Sequence, residues 1–313
     1  FLPLSCIFVV MDYPRTQMEF EKTFSNEEKC VQYLIDVHWP NGFTCHCGGQ
    51  EYWIASRRRV KCKKCNSMAS ITSGTLFDQS NKPLTYWFRA IWWMIAQKSG
   101  VSAVGLQKVL GIGSYKTAWI WLHKLRVLMV LPDRDKLTGK VEIDETFVGG
   151  IREGKRGRGA EDKSCVLIAV EVLPKGTGRV RLKLIKDVNG KNLLKFIRAN
   201  VEKNSIVVTD GYRCYASVGK KGYTHIVQKQ VIAMTEDEML PNVHRVAALL
   251  KRWLLGTHQN YVSADRLQKY LDEFSFRYNR RKSNSRGLLF HRVIEQAMSR
   301  EPITNKKVLA NKV

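Results

Sequence analysis

Acidic residues are scarce in this chain. Only 28 Asp and Glu stand against 52 Lys and Arg among 313 residues, leaving a formal charge of +24. A surface so basic attracts a polyanion, nucleic acid first and an acidic membrane second. Charge of this size permits disorder, but 12 Phe, 11 Tyr and 8 Trp exclude it. Glycine and proline are ordinary at 22 and 8, which excludes a collagen-like or mucin-like chain. Long apolar runs are lacking too, so no helix is expected to span a bilayer. The apolar opening, Phe1 to Val10, has neither a basic start nor a small-residue cleavage site, and it precedes Met11. It reads as a non-native leader from upstream translation, with a truncated signal peptide as the alternative. The 8 cysteines form no secreted disulfide framework, because four cluster between residues 45 and 65 and the rest are scattered. Clustered Cys in a long basic chain points to a metal in a reducing cytoplasm.

Periodicity divides the chain. Residues 19–40 predict one amphipathic helix, with Ser25-Asn-Glu-Glu28 as its capping box and Val31, Leu34, Ile35 and His38 at helical spacing. Residues 42–66 are a small Cys-rich unit with a basic strand, Arg57-Arg58-Arg59-Val60-Lys61. From Pro83 onward the period is helical, with Trp87, Ile91, Met94 and Ile95 on one face. Residues 102–110, a Gly111-Ile-Gly113 turn and residues 114–128 predict helix, turn, helix. In the second half, strands are expected at 141–148, 165–173, 179–186 and 205–209. Helices are expected at 193–201, 241–255 and 264–280. That order predicts an α/β fold with a mixed sheet.

Four groups of residues carry chemistry. Cys45-His46-Cys47 and Cys62-Lys-Lys-Cys65 supply two thiolate pairs able to close a tetrahedral Zn2+ site, although the first pair is one residue shorter than the usual spacing. Buried free thiols are the alternative, and His46 is a substitute ligand. The helix after Gly113 carries Tyr115, Lys116, Thr117, Trp119 and His123, some within reach of base edges if the pair enters a major groove; a plain helical hairpin fits equally. In Val141-Glu-Ile-Asp-Glu-Thr-Phe147, period two puts Glu142, Asp144 and Thr146 on one face. If that strand neighbours the one ending at Asp210, Asp144 and Asp210 converge on a Mg2+ site; independent surface acids are the alternative. His244 opens a helix whose related faces carry Lys251 and Arg252. Arg152, Lys155, Arg156 and Arg158 form a Gly-interleaved basic loop, and 277–286 is a basic run containing Arg280 and Arg281. Both suit phosphate contact or a solvated face.

In order, these pieces resemble bacterial insertion-sequence transposases with a zinc ribbon and an RNase H-like, DDE-related core, the ISXO-two-like group. The matching stretches are Trp39-Pro-Asn-Gly-Phe43, Ser73-Gly-Thr75, Val141-Glu-Ile-Asp-Glu-Thr-Phe-Val-Gly-Gly150 and Thr209-Asp-Gly-Tyr-Arg213. Leu249-Leu-Lys-Arg252, Gly256-Thr-His258 and Tyr270-Leu-Asp-Glu-Phe-Ser-Phe-Arg-Tyr-Asn279 complete the set. The resemblance implies that Asp144 and Asp210 are the first two metal-binding acids and that His244 takes the third position, with Glu238 as its rival. It implies two Mg2+ or Mn2+ ions for cleavage and strand transfer, and structural Zn2+ on Cys45, Cys47, Cys62 and Cys65. The implied partners are terminal repeats and target DNA, bound by a homo-oligomer in the nucleoid-associated cytoplasm without a membrane. Arg57, Arg58, Arg59, Lys116, Arg152, Lys155, Arg156, Arg158, Lys251, Arg252, Arg280 and Arg281 are the expected DNA contacts. A decayed or repurposed copy that only binds DNA is the alternative. The expected layout is a leader at 1–10, helix and ribbon at 11–80, helix-turn-helix at 81–130, RNase H-like catalytic domain at 138–300 and a tail at 301–313.

Overall fold

The computed structural model describes residues 13–131, 134–149, 163–228, 239–259 and 262–311. They form two compact units: one runs up to Lys124 and resumes at Ser283, and the other is Leu125–Lys282.

In the first unit the helix expected over 19–40 is two helices, α1 (Gln17–Thr23) and α2 (Glu27–His38). The chain turns between them at Phe24, which is buried. The cap of α2 is Asn26, one residue later than expected, accepting from the Lys29 N–H at 2.9 Å. Asn caps as well as Ser, and Glu27 is engaged elsewhere. Its carboxylate accepts from the N–H groups of Leu84 (2.9 Å) and Thr85 (3.2 Å) at the start of α3 (Leu84–Ala96). Pro83 precedes that helix and offers it no cap, so Glu27 supplies one from another element.

Three short antiparallel strands, β1 (Tyr52–Ala55), β2 (Arg59–Cys62) and β3 (Met68–Ser70), make the ribbon. Beyond α3 come α4 (Ala103–Leu110), a turn at Gly111 in left-handed backbone, and α5 (Tyr115–Val127). The helix-turn-helix outline is thus present. His123, however, is 0% exposed and cannot reach a base edge; it faces inward beside Trp119. Trp87, Ile91, Met94 and Ile95 are all buried, and Trp87 stacks on Trp121 with centroids 3.8 Å apart.

Two helices missing from the periodicity complete this unit: α9 (Arg286–Ser299) and α10 (Asn305–Leu309). Phe290 of α9 packs among Phe20, Phe24, Phe88 and Trp92. Residues from 283 onward therefore pack with the N-terminal helices, whereas the sequence places those up to 300 with the α/β half.

The second unit is a five-stranded sheet in the order β6-β5-β4-β7-β8. Strands β4 (Lys140–Val148), β5 (Ser164–Val172) and β6 (Thr177–Ile185) are antiparallel neighbours. β7 (Ile206–Thr209) runs parallel to β4, and β8 (Thr224–Val227), which lies in the stretch read as irregular, runs parallel to β7. Three antiparallel strands followed by two parallel ones is the expected mixed, RNase H-like sheet. α6 (Gly190–Asn200) covers one face, packing Leu193, Phe196 and Ile197 on Val141, Ile143 and Val207. α7 (Pro241–His258) and α8 (Leu267–Asn279) cover the other, against Val166, Ile168, Val170 and Val208. With both faces covered, β5 is apolar along its length, whereas β4 alternates.

Beneath the second face, Glu273 accepts from Arg126 Nε at 2.8 Å and pairs with Arg277 Nη2 at 2.8 Å, with Arg126 stacked on Tyr270. Burial alone would raise the Glu273 carboxyl; Arg277 and Arg126 outweigh it and hold it below the usual carboxylate range. Its stabilising contribution is therefore present above the unfolded carboxyl pKa and lost as pH falls through the lower folded value. Glu273→Gln removes the charge that pairs with Arg277 and with the buried Arg126 guanidinium and should cost about 3–5 kcal/mol. Urea unfolding followed by hydrogen exchange at β5 amides measures this; a loss under about 1 kcal/mol would show the pair to be unimportant.

Candidate functional site

Two knuckles build the ribbon site. Gly48 N–H donates to the Cys45 carbonyl at 2.8 Å, and Asn66 N–H donates to the Cys62 carbonyl at 3.0 Å. These turns aim four sulfurs at one point, with all ligand atoms within 4.8 Å of one another. Cys45 and Cys65 sulfurs lie 3.6 Å apart, and those of Cys47 and Cys62 3.7 Å apart. A Zn–S bond near 2.3 Å gives tetrahedral S–S spacings of about 3.8 Å, so the residues fit zinc. The short Cys45-His46-Cys47 spacing does not prevent convergence. Gly49 lies so close that a Cβ there would sit 2.8 Å from the Cys62 sulfur. The Ser67 hydroxyl and amide hold the Cys65 thiol down to about 6, favouring the thiolate that zinc requires. His46 is exposed and lies outside the four-sulfur group.

The parallel pairing of β4 and β7 brings Asp144 and Asp210 to one end of the sheet. The register pairs Val141 with Val207 and Glu142 with Val208. Two residues farther along both strands stand Asp144 and Asp210, at the same end of the sheet. Both fall on the α7 side, in step with Glu142 and Val208. Asp144 Oδ1 accepts from the Glu145 N–H at 2.8 Å, and Oδ2 lies 3.4 Å from His244 Nε2. Asp210 Oδ1 accepts from the Tyr212 N–H at 3.0 Å, which holds the turn after β7.

Tyr215 senses the charge of these carboxylates. Its hydroxyl donates to Glu145 Oε2 at 3.0 Å. Burial raises its pKa most, and the charges of Glu145, Asp144 and Asp210 raise it further. Carboxylate oxygens with one imidazole are a donor set that suits Mn2+ as well as Mg2+. Among the described residues, the four cysteines are the one set of three or more ligands gathered within single-ion distance. Asp144 and His244 approach to 3.4 Å, and with Asp210 they do not form one closed cage.

The start of α7 is held by β4 itself. Glu142 Oε2 accepts from the N–H groups of Asn242 (2.9 Å) and Val243 (3.1 Å), and Oε1 accepts from Asn242 Nδ2 at 2.7 Å. The sequence shows only that a cap is missing: Met239 and Leu240, immediately before Pro241, are not capping residues, and nothing local names Glu142 as the partner.

The expected DNA contacts fare differently. Lys251 and Arg252 are exposed on α7 and line a cleft of about 490 Å³ with Lys163, Phe147, Val148, Gly149 and Leu255. Lys163 was not anticipated. Lys116 and Arg57 are exposed. Arg57 and Arg58 lie in the left-handed hairpin turn, so the basic strand begins only at Arg59. Arg58 is held by Glu27 (3.1 Å) and the Lys82 carbonyl (2.6 Å), and Arg59 Nε by the Ser56 carbonyl. Arg280 stacks on Phe276, while Arg281 stacks on Tyr278 and donates to Thr177 at the start of β6. Both brace their own unit. Arg152, Lys155, Arg156, Arg158 and Glu238 lie outside the described residues. His258, between Trp253 and Tyr270, is a packing residue whose pKa burial pushes down to about 4. No helix among the described residues is long and apolar enough to cross a membrane.

Comparison with known proteins follows the same partition. Residues 136–279 match the ISXO2-like transposase domain, and residues 25–67 match the transposase zinc-ribbon domain. An uncharacterised protein in transposable element ISH50 of Halobacterium salinarum is 28% identical over 279 residues, covering 82% of this chain and 92% of the relative. Among solved structures, the Mos1 transposase paired-end complex with left transposon end has 14% identity and a TM-score of 0.30, covering 91% of this chain and 98% of that one. The Mos1 strand transfer complex has 13% identity and a TM-score of 0.29, covering 75% and 80%. Likeness that weak places no residue. The first domain match begins just before β4 and ends with α8, the second encloses all four clustered cysteines, and the chain thus carries a transposase zinc-ribbon domain followed by an ISXO2-like transposase domain.

Proposed function

We propose that this transposase binds the terminal repeats of an insertion sequence, cleaves a strand at each end and joins the freed 3′-OH to target DNA, with Asp144, Asp210 and His244 as its reaction centre. The observation that supports the proposal is the parallel β4–β7 register, which brings both acids to one sheet end, with His244 3.4 Å from Asp144. Divalent ions, Mg2+ or Mn2+, would there neutralise charge on the phosphate oxygens and acidify the attacking water or hydroxyl. Asp144 on β4 and Asp210 in the turn just past β7 would hold such an ion, and His244 would orient the group facing Asp144. Lys163, Lys251 and Arg252 line the adjoining cleft, where they can neutralise the phosphate backbone without reading bases. Two ends cut and joined together require at least two copies on DNA.

Supercoiled plasmid carrying the DNA ends that flank this gene tests the proposal. Nicking with joining is expected in Mg2+ or Mn2+; binding without either product would mark a DNA-binding protein only. His244→Ala should cripple cleavage, and His244→Glu should retain part of it. Imidazole suits softer ions better, so wild-type protein should work faster in Mn2+ than in Mg2+. Full activity in His244→Ala would remove it from the site.

A basic chain whose contacts are mostly phosphates should release counterions on binding. With six to ten contacts, affinity for the ends should fall on the order of 10³-fold or more between about 50 and 200 mM salt. A flat salt response in fluorescence anisotropy would contradict the phosphate role of the basic cleft.

A further inference from the structure

We infer that Glu142 is a positioning residue of the active site: a cap supplied by β4 to the first turn of α7, which sets His244 against Asp144. The inference rests on the reading of Asp144 and His244 as active-site residues.

Helix α7 cannot cap itself. Its N-cap is Leu240, which has no side-chain acceptor and stands in left-handed backbone at φ 51°. Pro241 follows at the first helical position, so the next N–H groups to satisfy are those of Asn242 and Val243. Both donate to one oxygen of Glu142, while the Asn242 side chain donates to the other. Glu142 is 4% exposed, and its carboxylate meets the positive end of the helix.

The consequence for the site lies in the spacing. Glu142 and Asp144 are alternate residues on one face of β4. Asn242, Val243 and His244 are consecutive in α7. The three capping bonds and the Asp144–His244 approach of 3.4 Å therefore span the same two stretches of backbone. If the cap is lost, α7 can shift or fray at the turn that carries His244, and this distance changes first. Both oxygens of Glu142 already accept from α7, so Glu142 serves as the clamp and not as a further metal ligand. Glu27 does for α3 what Glu142 does for α7, at another helix whose own start offers no side-chain cap.

A cap and a metal ligand respond oppositely to an amide. Gln keeps an acceptor oxygen for two backbone N–H groups but loses the charge that a divalent ion needs. The test uses the full-length protein, DNA carrying the ends that flank its gene, and the variants Glu142→Ala, Glu142→Gln and Asp144→Asn. Glu142→Ala should lower kcat for cleavage about 10²-fold, the cost of roughly 1 Å of misplacement, with DNA affinity unchanged. Hydrogen exchange over residues 242–246 should accelerate. Glu142→Gln should restore amide protection and bring kcat to within about tenfold of wild type. Asp144→Asn should be inactive with normal exchange in α7. Wild-type kcat and protection in Glu142→Ala would overturn the inference. So would a Glu142→Gln protein as inactive as Asp144→Asn with α7 fully protected, because that is the behaviour of a ligand. An active Asp144→Asn protein would instead overturn the site reading, while the exchange data would still decide whether Glu142 caps α7.

Discussion

Asp144→Asn and Asp210→Asn should each lower cleavage and strand transfer by on the order of 10³-fold or more while leaving DNA affinity within about twofold. Asn keeps the shape and the hydrogen bonds that fix each side chain: Asp144 accepts from the Glu145 N–H, and Asp210 from the Tyr212 N–H. What is lost is the negative charge. In a protein of net charge +24, two adjacent acids oppose DNA binding, so removing one cannot weaken the encounter. Loss of rate with retained affinity is thus the signature of a charge used in the chemistry. Gel-shift and cleavage assays on the same end DNA separate the two quantities. Equal loss of both would mean that the substitutions disturb the fold.

The second large effect is expected at the ribbon. Its three strands are short, and Trp53, Ile54 and Met68 are exposed, leaving Phe43 and Val60 as its main buried apolar residues. Such a core cannot hold a fold, whereas zinc bound by thiolates contributes about 10–16 kcal/mol in small zinc-finger peptides. The protein should contain about one zinc per chain. Cys62→Ser with Cys65→Ser should release it, unfold residues 42–70 and abolish end-specific binding. The α/β unit should stay folded, because its core lies between its own sheet and helices. Metal analysis with hydrogen exchange across both units checks this. Normal protection of β1–β3 in metal-free protein would show that the ribbon stands without zinc.

What could be read from the sequence follows from which signals are local. The β4 alternation put Asp144 on a polar face, and the apolar run of β5 marked a strand covered on both sides; both patterns are written within nine residues. The arrival of Asp144 and Asp210 at one sheet end is not local. It depends on β7 lying parallel to β4, across a connection that includes β5, β6 and α6, and the residues alone left independent surface acids equally open. The cap on α7 was hidden for the same reason, since Glu142 and Asn242 are 100 residues apart. Charge misled more often. Arg58, Arg280 and Arg281 look like phosphate contacts in a basic run, yet carbonyls and rings of their own chain engage them. His123 sits on a helix expected to present polar residues, but the helix is buried on most sides at that turn. Helix α9 escaped because its run of Arg286, His291 and Arg292 masks the stripe of Leu289, Phe290, Val293 and Ile294 that packs inward.

We propose that Asp144 and Asp210 share a divalent-ion site at the end of β4 and β7. Crystals soaked in Mn2+ test it most directly, through anomalous scattering at the manganese edge. The expected result is a peak bonded to oxygens of both Asp144 and Asp210, at about 2.0–2.2 Å, absent in Asp144→Asn crystals. Manganese bound elsewhere, with both carboxylates left to their backbone N–H partners, would contradict the account.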